Sequence, residues 1–257
     1  MKIARLPFFI LALVGCSLSA QYDHIDKITM DANAAPEIRG ADGFYERNGG
    51  KFRVSASLHL GEAKSEKISD ANTDATCQVQ YPYVTISLDN LIKGRFFLWG
   101  WNATIDKGIF VNHIIGFNTK YFEAGISIGL WLHKRDFEYS GTEYAYSDSS
   151  KAQELEFTES YSWGFTVTYG GFASVYHGPF SLGYSVNIYR PVPVYRKNVE
   201  PQIDFPFVMT EYITAGYRLN KNWKLRLGAT NTFGNFPSWH WGVIGSLTYY
   251  FTKNPLE

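Results

Sequence analysis

The sequence predicts an all-β protein: a closed antiparallel transmembrane β-barrel of about ten strands, with eight to twelve strands compatible with the pattern. Three observations support this fold class: an export signal at the N-terminus, a two-residue hydrophobic period from Lys51 onward, and many aromatic residues. Phe, Tyr and Trp make up 17% of the 257 residues. Tyr and Trp concentrate where a membrane meets water, because each ring has an apolar body and a polar atom.

Residues 1–20 have the layout of a signal peptide. A positively charged start precedes an apolar core over residues 6–15, which is too short to cross a bilayer as a helix, and small residues follow. Cleavage near Ala20 is one interpretation. The other is a lipobox ending at Cys16, which would carry a lipid after processing. Together with the barrel pattern, the signal predicts the bacterial cell outer membrane.

Residues 21–50 are polar and show no sustained hydrophobic period. We predict a periplasmic N-terminal segment here, extended or partly helical, followed by the barrel over residues 51–257. Only Cys77 would remain after ordinary cleavage, so the fold must form without an internal disulfide.

Alternation of apolar and polar residues predicts the strands. Ile126, Ile128 and Leu130 share one face of their segment, for example, whereas Ser127, Gly129 and Trp131 share the other. Segments of about ten residues with this period are typical of strands that cross a membrane. The predicted strands lie near 51–60, 79–89, 94–105, 108–118, 121–138, 156–176, 179–193, 206–219, 222–233 and 239–251.

The connections alternate between tight turns and long polar loops. Tight turns are predicted at 90–93, 119–120, 177–178 and 220–221, and long loops at 61–78, 141–155 and 193–205. This alternation is expected when one end of a barrel faces the periplasm and the other faces outside. A soluble β-sandwich would also alternate, but the polar face here carries Ser, Thr, Gly and charges that could not fill its core.

Two positions interrupt the pattern. Glu211 falls on the predicted lipid-facing side, where a bare carboxylate is costly, so we expect either a shift in register or a partner for it. Gly170 and Gly171 predict a bulge at which the long sixth segment changes face.

Charged residues of both signs fall on the predicted lumen face near the periplasmic end. They could form a selectivity ring, or an internal ion-pair network that fills a narrow barrel, and the second is favoured because buried charges must be paired. Barrels near eight strands are just wide enough for side chains to fill. The residues concerned are Lys51, Arg53, Asp89, Glu123, Arg218, Lys224 and Arg226.

Histidines are the weak candidates for catalysis. His59, His133 and His240 lie near the predicted outer rim of the lumen, and His113 falls on the more apolar face of its segment. Histidine beside a carboxylate or hydroxyl can serve acid–base or nucleophilic chemistry. These residues belong to separate strands, however, and no short motif fixes their geometry.

Charge and motifs exclude several classes of partner. The chain has 24 Lys and Arg against 24 Asp and Glu, so it has no electrostatic reason to bind nucleic acid. No spacing typical of a metal site and no glycine-rich phosphate loop occurs, and we predict no metal or other cofactor. The expected partners are outer-membrane lipid and lipopolysaccharide, with an extracellular ligand possible at the long loops.

Two predicted hairpins carry the resemblance to known proteins. Residues 171–183, GFASVYHGPFSLG, and residues 215–228, AGYRLNKNWKLRLG, resemble hairpins of small Gram-negative outer-membrane barrels. The first is similar to the MipA/OmpV-like family, and that resemblance implies an envelope or scaffolding role. It covers a small part of the chain and includes no catalytic motif.

Three functions remain open from the sequence. The first is a non-enzymatic surface or envelope role, as adhesin, receptor or scaffold, carried by the outer loops. The second is a lipid-modifying outer-membrane enzyme of the lipid A acyltransferase or deacylase type, motivated by the histidines. The third is a narrow channel for small solutes. The missing motifs favour the first.

Overall fold

The computed structural model describes residues 23–32, 34–40, 49–61, 64–70, 73–79, 81–94, 96–146, 152–190, 207–233 and 240–251. The predicted signal peptide and Cys16 lie outside these residues. Within them there is no helix with the length and apolar character needed to cross a membrane.

Thirteen strands occur in the described part of the chain. In chain order they are β1 Asp23–Ala32, β2 Gly49–Gly61, β3 Lys64–Asp70, β4 Thr73–Val79, β5 Tyr83–Lys93, β6 Phe97–Ile105, β7 Gly108–Asn118, β8 Phe122–Tyr146, β9 Ala152–His177, β10 Phe180–Tyr189, β11 Val208–Arg218, β12 Trp223–Phe233 and β13 His240–Tyr250.

Ten of these strands close into a barrel, which confirms the predicted fold class and strand count. Around the ring the order is β2, β5, β6, β7, β8, β9, β10, β11, β12 and β13, and β13 pairs with β2 to complete it. Every pairing in the ring is antiparallel. Closure leaves these strands without a free edge.

The two faces of the barrel differ as the alternation predicts. On β8, Ile126, Ile128 and Leu130 point outward and are exposed, whereas Ser127 and Trp131 point inward and are buried. The same division holds around the ring, so the outer surface is apolar and the lumen is lined mainly by polar and aromatic side chains. Successive side chains of a strand point to opposite faces, which is why one sequence period builds both surfaces.

The two ends of the barrel also differ. At one end the strands are joined by residues 94–96, 119–121, 178–179 and 219–222, and we call this the short-turn end. At the other, the long-loop end, β8 and β9 continue as a paired ribbon. There β1 adds to β8 in antiparallel fashion, β4 adds to β1 in parallel, and β3 pairs with β4. These strands form an outer sheet beside the barrel mouth.

Several local predictions were wrong. The predicted long loop 61–78 contains β3 and most of β4, and β8 and β9 extend into the predicted long loop 141–155. Residues 90–93 belong to β5, and the turn follows them, closed by a hydrogen bond from the Gly94 N–H to the Phe97 carbonyl at 2.7 Å. Gly170 and Gly171 form no bulge, because β9 pairs continuously with β8 and β10 through both residues. The register shift in β8 lies instead between Lys134 and Phe137.

Glu211 keeps its predicted outward position, with no shift in register along β11. It is paired instead. The Tyr184 hydroxyl donates to one carboxylate oxygen at 2.6 Å, and the Asn231 side-chain amide donates to the other at 3.5 Å. A partnered carboxylate is far less costly in an apolar setting than a bare one.

Candidate functional site

A short stretch of the N-terminal segment lies inside the barrel. Residues 34–40, which we call the plug, follow β1 from the long-loop end and are buried by the lumen wall. Sequence analysis placed these residues in the periplasmic N-terminal segment 21–50, ahead of the barrel strands. Ala34, Ala35 and Gly40 take up little space in the lumen, whereas the larger side chains of residues 37–39 contact the wall.

The backbone of the plug is hydrogen-bonded to inward-facing side chains of the wall. The Ala35 N–H donates to the Thr210 hydroxyl at 3.0 Å, and the Ala35 carbonyl accepts from the Tyr212 hydroxyl at 2.5 Å. The Pro36 carbonyl accepts from the Asn187 amide at 2.9 Å. Buried backbone groups outside a sheet need such partners, so the polar lining of β10 and β11 makes the path of the plug possible.

An ionic network anchors Arg39 of the plug. Its guanidinium donates to the Asp89 carboxylate at 3.3 Å and to the Ser55 hydroxyl at 2.7 Å, and it reaches the Thr248 hydroxyl at 3.5 Å. Asp89, on β5, also accepts from Arg53 at 2.5 Å. One fully buried carboxylate therefore holds a guanidinium of the wall and a guanidinium of the plug together.

Glu37 supplies the second ionic contact of the plug. Both of its carboxylate oxygens accept from the guanidinium of Arg226 on β12. Arg226 also donates to the Thr214 hydroxyl at 2.8 Å. A two-point contact between Arg and a carboxylate fixes orientation as well as charge.

The opposite side of the plug is packed rather than hydrogen-bonded. The Ile38 side chain joins an apolar cluster with Leu91, Leu98, Ile114 and Phe172. Gly170 lies directly against Ile38, and any side chain at this position would collide with it. The carbonyl oxygen of Val186 on β10 lies almost as close, so the plug and the neighbouring strand together account for this glycine, in place of the predicted bulge.

The predicted lumen charges are found around this site. Arg53, Asp89, Glu123, Lys224 and Arg226 all point inward and are buried near the short-turn end, and Arg218 is half-buried at the end of β11. Lys51 pairs with Leu91 in the β2–β5 register. Sequence analysis missed Glu37 and Arg39. A Glu-Ile-Arg triplet in an otherwise aperiodic stretch gives no periodic signal that could have identified them.

The candidate histidines occupy two environments. His59 points inward, stacks on Tyr83 with ring centroids 4.3 Å apart, and has the Thr85 hydroxyl 3.4 Å from its Nε2. His133 stacks on Trp131 at 4.1 Å, and His240 is buried on β13. His113 points outward and meets the edge of Trp99. Among the described residues, no cluster of His, Cys, Asp and Glu could hold a metal ion.

Aromatic residues form a second layer of the lumen, above the ionic network and toward the long-loop end. Tyr83 lies near Tyr81 at 5.6 Å, and Tyr212 meets the edge of His59. Trp131 and Tyr189 form an edge-to-face pair at 5.2 Å. Because these rings are largely buried, aromatic side chains line the lumen on the long-loop side of the ionic network.

Asp106 lies in the turn between β6 and β7, at the mouth of this aromatic layer. Burial penalises its charged form and raises the pKa of the Asp106 carboxyl to about 6, although the Gly108 N–H donates to this carboxylate at 2.8 Å. Asp106 therefore changes charge close to neutral pH.

Several buried polar groups of the lumen wall have no partner. On β7–β9 these are the side chains of Asn112, Ser127, Thr166 and Thr168, and on β10, β12 and β13 they include the hydroxyls of Ser185, Thr230 and Ser246. Asn112 and Thr168 flank Gly129 in the register of the three strands. An unsatisfied buried polar group costs about 1–3 kcal/mol.

No protein-family model matches the chain, and no curated protein matches it either, so the resemblance to the MipA/OmpV-like family is not confirmed. Among solved structures, the monoaromatic hydrocarbon channel CymD matches with 9% identity and a TM-score of 0.34, covering 87% of this chain and 95% of that one. A deltaS2 mutant of the channel TodX matches with 8% identity and a TM-score of 0.39, covering 82% and 92%. The P. putida toluene transporter TodX matches with 9% identity and a TM-score of 0.34, covering 80% and 91%. TM-scores below 0.5 denote loose likeness, and the barrel is established by its own strand pairing.

Proposed function

We propose that this chain is a β-barrel of the bacterial outer membrane that forms a narrow channel, closed by its own N-terminal segment. The outward face supports the membrane location, because exposed Ile, Leu, Val and Phe side chains surround the ring. A closed barrel satisfies every backbone hydrogen bond without water, as the apolar layer of a bilayer requires.

The observation that carries the channel proposal is the plug itself. Residues 34–40 are not a strand of the ring, yet they occupy its centre through side-chain contacts with the wall. An eight-stranded barrel has room only for its own side chains, whereas open aqueous channels have 16 or more strands. A ten-stranded barrel that encloses a chain segment has a width between these two cases, so withdrawal of the plug would leave a narrow passage.

Conductance across a planar bilayer tests the proposal. The variant replaces residues 34–40 with a glycine–serine sequence of the same length, which removes Glu37, Ile38 and Arg39 while keeping the chain connected. We expect few conductance events from the wild-type protein and frequent small ones from the variant. The matched control replaces β3 and β4, residues 64–70 and 73–79 outside the ring, with glycine and serine, and should remain closed.

The variant must first be shown to fold, by its β-type circular dichroism and by its migration as a heat-modifiable band in electrophoresis. A folded variant that conducts no better than the wild-type protein would exclude the channel and favour a filled, purely structural barrel.

One observation favours a second function, the surface or envelope role. The ribbon of β8 and β9 extends past the barrel and carries β1, β4 and β3 as an outer sheet at the long-loop end. A sheet of this kind could recognise an extracellular ligand or neighbouring lipopolysaccharide. Cells that display the protein without residues 64–79 should then lose binding to that ligand while the barrel remains in place.

The lipid-modifying alternative receives less support. The partners of His59 are the hydroxyl of Thr85 and the ring of Tyr83, which is an arrangement of packing rather than of acid–base chemistry. Lipid A hydrolysis or acyl transfer by the purified protein remains a simple assay for it.

A further inference from the structure

The charged side chains of the lumen wall are gathered near the short-turn end. Six of them are inward-facing, at most 6% exposed, and carried by described strands. Four are cations and two are anions: Arg53, Lys93, Lys224 and Arg226 against Asp89 and Glu123. The wall of this layer therefore has an excess of positive charge.

The plug does not change that excess. It contributes one carboxylate, Glu37, and one guanidinium, Arg39. Whether the plug is in place or withdrawn, the described wall of the layer keeps two more positive than negative charges. The excess is thus a property of the passage rather than of the segment that closes it.

The rest of the described lumen does not compensate for it. Toward the long-loop end the inward side chains are hydroxyls, amides, aromatic rings and histidines, and the carboxylate there is that of Asp106 at the mouth. A solute crossing the barrel would meet a mostly neutral vestibule and then a layer of net positive charge.

We infer that the passage selects small anions, such as chloride or a short-chain carboxylate. This inference rests on the proposed channel function and adds its specificity. Charges in a narrow, poorly hydrated passage act more strongly than in bulk water, and rings of Arg and Lys are how pores favour anions. Lys224 and Arg226 are the expected selectivity residues, since they stand two residues apart on the inner face of β12.

The reversal potential under a salt gradient tests the inference. The plug variant with residues 34–40 replaced is placed in a bilayer between KCl solutions that differ tenfold in concentration. We expect a reversal potential of the sign set by chloride, with chloride several-fold more permeant than potassium. Adding Lys224→Gln to this variant should bring the permeability ratio closer to one.

Lys221→Gln is the matched control. Lys221 is exposed in the turn that precedes β12, at the same end of the barrel, but does not face the lumen. Its loss should leave the permeability ratio unchanged. An unselective current, or one selective for potassium, would overturn anion selectivity. A permeability ratio that Lys224→Gln leaves unchanged would do the same. In each case the proposed channel function would still hold. A folded plug variant without any current would overturn both.

Discussion

The two sides of the lumen hold the plug by different means. Six strands, β2, β5, β10, β11, β12 and β13, each contribute a hydrogen bond or ion pair to residues 35–39, and we call them the bonding wall. The β7–β9 wall makes packing contacts, chiefly through the fit of Ile38 against Ile114, Phe172 and Gly170. The plug provides partners for Thr210, Tyr212 and Asn187 of the bonding wall, although Ser185, Thr230 and Ser246 of that wall have none. On the β7–β9 wall the buried polar groups of Asn112, Ser127 and Thr168 all lack a partner.

This difference indicates where the plug would separate from the barrel. Hydrogen bonds and ion pairs on the bonding wall would have to be exchanged for water one by one. On the β7–β9 wall, separation would instead give water to Asn112, Ser127 and Thr168, which lack partners when the plug is in place. Hydration of those groups offsets part of the cost of exposing Ile38. We therefore expect opening to begin along the β7–β9 wall.

The largest expected effect comes from breaking the bonding wall at its centre. Asp89→Asn preserves shape but removes the negative charge that both Arg39 and Arg53 contact. Leaving buried charges without their partner costs about 3–5 kcal/mol. We expect the free energy of unfolding, measured by urea titration of the protein refolded in detergent, to fall by about that amount.

The control for this prediction is Ser127→Ala, on the β7–β9 wall at a comparable depth in the barrel. Ser127 is buried and its hydroxyl has no partner, so its loss should not destabilise the protein. Equal losses for the two variants would mean that the two walls do not differ in the way described.

How far the sequence could predict this arrangement differs between the wall and the plug. The period of two predicted ten barrel strands and the inward direction of Arg53, Asp89 and Arg226, because alternation along a strand is a local property. The plug depends on contacts such as Arg39 with Asp89, which are 50 residues apart in sequence. Nothing local to residues 34–40 encodes those contacts. Gly170 also depends on residues distant in sequence, since a side chain there would meet both Ile38 of the plug and the Val186 carbonyl of β10.

A smaller effect is expected at the mouth of the lumen, beside the β7–β9 wall. Burial raises the pKa of Asp106 to about 6, so the folded state binds a proton more readily than the unfolded chain does. Its contribution to stability is therefore largest at low pH and is lost as pH rises through about 6. The difference between a pKa of about 6 and the ordinary carboxyl value corresponds to about 2–3 kcal/mol.

Asp106→Asn tests this because the amide keeps an oxygen to accept from Gly108 but does not titrate. Thermal unfolding between pH 4.5 and 7.5 should show the wild-type protein losing stability relative to the variant as pH rises. All other titratable groups are the same in the two proteins, so the difference between their curves reports on Asp106. Parallel curves across this range would contradict the assignment.

The smallest expected effect is also the most direct comparison of the two walls. Thr→Val exchanges a hydroxyl for a methyl group of nearly the same shape, and it can be made at Thr210 on the bonding wall and at Thr168 on the β7–β9 wall. Thr210 accepts from the Ala35 N–H, so Thr210→Val should lose about 1 kcal/mol of unfolding free energy. The Thr168 hydroxyl is buried without a partner, so Thr168→Val should gain about as much. Opposite signs from one chemical change would show that the plug provides a partner for the Thr210 hydroxyl and none for the Thr168 hydroxyl, whereas a loss at both positions would mean that Thr168 has a hydrogen-bonding role in the folded barrel.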